Sequence, residues 1–350
     1  MNKNMILGIV ALLVIVSVAV YFMKSETPNK TSLKEKNITI GAVLAMSGYA
    51  SVDGEDIKNG IELAKADLKK EGITLNVEYY DDGTDPKKTI SGLELMNSKG
   101  IKSIIGPTWG FQVTAAMPVF DKNNMLGYVP SSGSDVVIGN SDRVFYGQPK
   151  VRDQVKIVSD WIKNTGVKKL ALMTVNSSGD SWGDAHISTW QEAAKLAGVQ
   201  VVVSEKIDLS LEINQMPLFV LKAKSLSADA IIWSGTEGGA INMIKKMQEL
   251  KYTPQILAER LLAEAVTTGK VTKTGLDISI ITGGVSDVYR QKSDAAYGTT
   301  TKINYAESAY NMTRGAVSNE MGHGGKDLLE YAKDNYKNNV NSRGWIMYKL

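Results

Sequence analysis

Ile104-Ile105-Gly106-Pro107-Thr108-Trp109-Gly110-Phe111-Gln112-Val113-Thr114-Ala115-Ala116 reads IIGPTWGFQVTAA: an apolar pair, a Gly-Pro break, a short loop, then a run of helical composition. A buried strand that opens through small residues onto a helix start leaves N–H groups without acceptors inside the helix. Such a start receives anions well. The same pattern also serves as a plain connector, with Gly and Pro as punctuation. The flanking sequence has to separate the two.

Working outward, the chain alternates apolar runs with helical periodicity. Ile38–Ala45 (ITIGAVLA) reads as a buried strand, and the following GEDIKNGIELAKADLKKEG carries Ile57, Ile61, Ala64 and Leu68 on one helical face, with Gly72 as its stop. LNVEYY is a strand. Asp85-Pro86 supplies an N-cap and a first-turn proline for a helix that turns Ile90, Leu93 and Met96 inward. KSIIG is the next strand, and Val113 to Phe120 opens a helix that Pro118 is expected to bend. The pattern then repeats. Lys168–Val175 is a strand, followed by a helix through Ile187, Trp190 and Ala194, the strand VQVVVSE, a helix around Leu218–Leu226, the strand DAIIWSG and the helical EGGAINMIKKMQEL.

Alternation on this scale implies parallel sheets covered by helices on both faces, and two runs of it imply an α/β fold of two Rossmann-like lobes. IIGPTWG in the first run and IIWSGTEGG in the second hold equivalent places, each a strand end opening onto a helix. Ligands of open α/β sheets sit beyond the carboxyl ends of the strands. Two such ends facing one another would form a cleft, which favours a binding loop over a connector.

Composition narrows the classes. The chain has 350 residues, 43% apolar and 22% charged, enough for two domains, and its net charge of +3 comes with no long basic run, so nucleic acid is not the indicated partner. With no cysteine there are no disulfides, thiolate metal sites or catalytic thiols. His186 and His323 supply the imidazoles, with no metal set beside either, and no cofactor motif is present. No G-x-G-x-x-G follows the first strand and no G-x-S-x-G elbow occurs, so an enzyme is not expected. Asp81, Asp82 and Asp85 lack the spacing of a calcium loop, and Gly322-His323-Gly324-Gly325-Lys326 ends on Asp327 where a phosphate loop needs Ser or Thr.

Met5 to Met23 is uncharged and continuously apolar, 19 residues that would reach ~28 Å as a helix, close to a bilayer's hydrocarbon core. It reads as a transmembrane anchor. A cleavable signal is the competing reading, because Ser17-Val18-Ala19 resembles a small-x-small cleavage site. Lys24 to residue 37 reads as a flexible tether.

Several segments together resemble the branched-chain amino-acid (Leu/Ile/Val) binding proteins of ABC importers: SGYASVDGEDIKNGIELA, YYDDGTDPKK, GIKSIIGPTWGFQVTAAMPVFDKNNMLGYVPSSGS, GVKKLALMTVNSSGDSWGDA, ADAIIWSGTEGGAINMIKKMQELKYTPQIL and KINYAESAYNM. The resemblance spans almost everything after residue 37. It implies a periplasmic-binding-protein fold of type I, with residues 37–148 and 284–340 in one lobe, 149–283 and 341–350 in the other, and a small ligand closed between them. It also implies an ABC permease as partner and a place on the extracytoplasmic face of the membrane. A ligand-sensing receptor that signals to a membrane partner is the alternative on the same fold.

By the same resemblance, a ligand carboxylate would meet Gly110-Phe111 and the segment Ser131, Ser132, Gly133, Ser134. Trp182 would close over the ligand from the second lobe, Thr236 and Glu237 would form the facing wall, and Glu259 would take an ammonium. The chain departs from the pattern at Gly110, where the family commonly has Ser, and at Gly133, where it commonly has Thr. Asp53 stands where an aromatic is common and would instead receive a cation. Arg260 adjoins Glu259, and a one-residue shift decides which of them faces the cleft; an inward Arg260 favours an acidic ligand. On the residues alone, capping by Thr236, a surface pair of Glu259 with Arg260, and a helix-start role for Asp53 stay open.

Overall fold

The computed structural model describes residues 36–131, 141–176, 182–273, 275–283, 305–322, 327–330 and 345–349. Two sheets carry the chain. The first has strand order β2-β1-β3-β4-β5, from β1 (Lys36–Leu44), β2 (Ile73–Asp81), β3 (Ser103–Ile105), β4 (Leu126–Val129) and β5 (Val144–Tyr146). Strands β1, β3, β4 and β5 run parallel, with Gly41 opposite Ile104 and Ser103 opposite Leu126. Helices α1 (Ser51–Lys70), α2 (Pro86–Ser98) and α3 (Gly110–Lys122) connect them, and α9 (Ala306–Gly322) packs beside α1.

The second sheet has order β11-β10-β9-β8-β6-β7, from β6 (Lys169–Asn176), β7 (Gln200–Asp208), β8 (Ala230–Ser234), β9 (Gln255–Glu259), β10 (Asp277–Gly283) and β11 (Trp345–Lys349). Its strands are parallel except β11, which runs antiparallel to β10. Helices α4 (Gln154–Thr165), α5 (Trp182–Ala197), α6 (Glu212–Ser225), α7 (Glu237–Glu249) and α8 (Arg260–Thr267) cover it.

Both faces of each sheet are buried, which is why the central strands are apolar throughout rather than alternating. In the first lobe Ile40, Ala42, Leu44, Ile57 and Ile61 form a core on one face, while Val43, Leu93, Ile104, Val113 and Phe120 form another on the opposite face. In the second, Met216, Phe219, Met243 and Leu262 pack from α6, α7 and α8, and Val158, Trp161 and Trp190 pack from α4 and α5.

The helical faces expected of α1, Ile57, Ile61, Ala64 and Leu68, are all buried. Asp85 caps α2, its Oδ1 accepting from Lys87 N–H at 2.8 Å, with Pro86 next. Helix α6 begins at Glu212, ahead of the apolar run around Leu218–Leu226, and buries Met216, Phe219, Val220 and Ala223. Leu218, 64% exposed, faces outward instead. Among the described residues no helix is long and apolar enough to cross a membrane, and Met5–Met23 lies outside them.

Each sheet has a point where successive connections leave in opposite directions, between β1 and β3 in the first and between β6 and β8 in the second. The crevice beyond the carboxyl ends at such a point is where open α/β sheets bind ligands.

Candidate ligand cleft at the lobe junction

The loop IIGPTWGFQ leaves β3 at the first of these points. Gly106 has φ +108°, a conformation that side chains resist, and a Cβ there would collide with the Val43 carbonyl. Thr108 Oγ1 accepts from the Ala45 N–H at 2.9 Å, which ties the loop to the end of β1. Gln112 closes the helix start, its Oε1 accepting from Trp109 N–H at 3.1 Å and its Nε2 donating to Thr89 Oγ1 at 3.1 Å. The first-turn N–H groups of α3, from Gly110 and Phe111, have no acceptor within the helix.

Trp109 ties the loop to the residue that meets the other lobe. Its indole Nε1 donates to Asp53 Oδ2 at 2.7 Å, and Asp53 Oδ1 accepts from the guanidinium of Arg260. Asp53 stands in the first turn of α1, just beyond β1, and Arg260 opens α8 just beyond β9. The carboxyl ends of the two sheets therefore meet at a buried ion pair, with side chains 8% (Arg260) and 4% (Asp53) exposed. The other arm of the guanidinium reaches Glu264, and its carbon lies 4.8 Å from the centre of the Tyr305 ring, a cation–π contact.

Glu259 also points inward, within its own lobe. Its Oε1 accepts from His186 Nε2 at 2.9 Å and Gln154 Nε2 at 3.2 Å, and its Oε2 from Ser234 Oγ at 2.6 Å. Burial alone would push this carboxyl up. The His186 ring and the hydrogen bonds overcome that and hold it below its ordinary value. His186 is fully buried, and its Nδ1 lies 3.0 Å from the Trp182 carbonyl. The Trp182 ring stands 4.1 Å from the imidazole, tilted by 50°.

The site residues expected from sequence are not all brought together. Asp53 and Arg260 meet at the lobe junction, with Glu259 next to Arg260 in sequence and Gly110 and Phe111 next to Trp109, while Trp182 packs on His186 within the second lobe. Ser131 is buried at the same loop, its Oγ donating to the Thr108 carbonyl. Ser132 and Ser134 lie outside the described residues. Thr236 and Glu237 are turned to other work. Thr236 Oγ1 caps α7 by accepting from Gly239 N–H at 3.2 Å and donates to Glu212 Oε2 at 2.5 Å, while Glu237 pairs with Lys270 at 2.6 Å.

Sequence reasoning did not single out Trp109, Gln154, His186 or Tyr305 as site residues. For His186 a signal existed: it lies four residues after Trp182 on one helix, hence on the same face. The polar groups gathered here are chiefly donors and paired carboxylates, and among the described residues no group of His, Asp and Glu is arranged to hold a metal ion.

Comparison with known proteins places the fold. A Leu/Ile/Val-binding protein homolog of Brucella melitensis is 23% identical over 214 residues, 59% of this chain and 57% of its own length. The Leu/Ile/Val-binding protein BraC3 of Rhizobium johnstonii is 23% identical over 217 residues, 60% of this chain and 58% of its own. The alignments thus span a little over half of these curated relatives. Among solved structures, a branched-chain amino acid transporter substrate-binding protein from Streptococcus pneumoniae, in complex with isoleucine, has TM-score 0.73 at 18% identity, covering 85% of this chain and 88% of that one. A solute-binding protein of an ABC transporter from R. palustris, in complex with 4-hydroxybenzoate, has TM-score 0.77 at 16% identity, covering 90% and 93%. At these identities the structures share the fold. Residues 37–312 match the family model for periplasmic binding proteins, and the chain belongs to that family.

Proposed function

We propose that this chain is the extracytoplasmic solute-binding protein of an ABC importer, and that it takes a small carboxylate-bearing ligand, an amino acid or an organic acid, between its two lobes. The observation that carries the reading is the position of IIGPTWGFQ. Its Trp109 lies against Asp53, which in turn pairs with Arg260 of the other lobe, and these contacts support a place for the open start of α3 beside the junction. Relatives on the same fold carry isoleucine or 4-hydroxybenzoate in their complexes, both carboxylates. Met5–Met23 would hold the chain to the membrane beside its permease, with Lys24 to residue 37 as the tether.

The test is a panel of amino acids and small organic acids, read by thermal shift and by small-angle scattering. A ligand that binds only the folded state stabilises it by about 2.7 kcal/mol at 100 times its Kd. At least one compound is expected to raise Tm and compact the protein. A panel that leaves both unchanged removes this reading.

A further inference from the structure

Helix α4 turns Ile157, Asp160, Trp161 and Asn164 to one side, at helical spacing, and that side looks across at the β9, β10 and β11 end of the second sheet. The register there sets Gln255 beside Asp277, the first residues of β9 and β10, while Met347 and Lys349 of β11 share a face two residues apart. Helix and strands do not close on one another. They leave a trough of about 570 Å³, where protein interiors normally hold few voids larger than a water molecule. A space of that size suits a small-molecule ligand. It is not the cleft: Gln255 opens β9 and Glu259 closes it, so four strand residues, ~13 Å, separate Gln255 from the residue that adjoins Arg260.

Gln255 carries the argument. Its Nε2 donates to the Thr165 carbonyl at 3.1 Å, at the end of α4. A carbonyl only accepts, so the amide cannot turn over without losing that bond. Its Oε1 is left buried and receives no hydrogen bond among the described residues. Buried acceptors are rarely left so, and a residue that lines a ligand-sized space can draw the missing donor from what fills it. The other walls set the rest of the ligand. Ile157 and Met347 are apolar. Trp161 commits its N–H to Ser279 Oγ at 3.0 Å, so it too offers only its ring. Each carboxylate on the rim has its own lysine, Asp160 with Lys156 and Asp277 with Lys349. All four of these side chains are exposed, so neither a cation nor an anion gains much there.

We propose that the second lobe holds a second small-molecule site, in this trough, for an uncharged ligand with an apolar body and an N–H or O–H group that donates to Gln255. The proposal is independent of what the cleft binds.

The test follows the Met347 methyl group by NMR in the full chain, labelled at methionine, with benzamide as the probe and toluene, benzoate and benzylammonium as controls. Met347→Leu identifies the resonance. Benzamide is expected to shift it saturably, with a Kd ~10-fold or more below that of toluene, which has the ring but no donor, and below that of either ion. Gln255→Leu is expected to bring benzamide down to the level of toluene. Because that change also removes the bond to Thr165, Ile157→Trp supplies a second check: it fills the trough, leaves Gln255 in place and is expected to exclude benzamide. An unmoved Met347 methyl, toluene binding as tightly as benzamide, or an ion binding more tightly overturns the proposal. So does benzamide binding that is unchanged in either variant, and a water molecule would then be the donor to Gln255.

Discussion

At the start of α7 the sequence supplies its own acceptor. The Glu212 carboxylate accepts from the Thr236 N–H at 3.0 Å and from its hydroxyl, and lies so close that a Cβ at Gly235 or Gly239 would overlap it. The helix start that looked ready for a ligand in IIWSGTEGG is thus filled from within the lobe. Nothing local in the sequence reveals this, because Glu212 arrives from 24 residues upstream. Burial pushes its carboxyl up from 4.5 to about 7, against the hydrogen bonds of Thr236. Folded Glu212 therefore holds its proton at pH values where the unfolded chain releases it. Its contribution to stability is complete below pH 4.5 and is lost as pH rises to about 7, a swing of roughly 3 kcal/mol. Glu212→Gln, always neutral, is expected to gain on the wild type by about that amount between pH 4.5 and pH 8, measured by urea unfolding. Parallel pH profiles for the two proteins would refute it. The neighbouring question of Glu259 against Arg260 has a physical answer too: a strand's last residue and a helix's first both point into the junction, Glu259 toward its own lobe and Arg260 across.

Element by element, helices with local signals were legible and those set by distant partners were not. Asp85-Pro86 announces α2 because both the cap and the fixed proline φ act within one turn. Asp85→Ala is expected to cost ~1 kcal/mol of unfolding free energy, within a range of about 0.5–2. The start of α6 follows instead from the burial of Glu212 beneath α7, and its inward face is Met216, Phe219, Val220 and Ala223. Within the apolar run around Leu218–Leu226, Leu218 and Leu221 are 64% and 41% exposed. Leu218→Lys is therefore expected to change stability by no more than about 0.5 kcal/mol, where Phe219→Ala, fully inside, should cost ~3–5. Equal losses from the two would show that α6 is rotated on its sheet.

For the whole molecule, the alternation of strands and helices gave the two-sheet architecture, since each strand's apolar run reports burial on both faces. It could not give the contact that joins the lobes. Asp53 and Arg260 are 207 residues apart, and no periodicity links them. That pair, with Tyr305 of one lobe under the guanidinium of the other, makes a polar bond between two bodies that each have a separate core. Removing one partner of a buried pair costs ~3–5 kcal/mol, because the other charge stays desolvated unless the structure opens to water. In a hinged protein, opening is the cheap escape. Asp53→Asn keeps an acceptor for the Trp109 indole but removes the charge facing Arg260, so the closed form loses support while each lobe keeps its core. A shift of even ~3 kcal/mol moves a closed-to-open ratio by more than 100-fold. The ligand-free Asp53→Asn protein is therefore expected to show a larger radius of gyration than ligand-free wild type, with unchanged circular dichroism. Arg260→Met, which strips the shared cation from both Asp53 and Glu264, should open it at least as much. Equal radii for wild type and Asp53→Asn would mean that the ion pair forms between the lobes without holding them together.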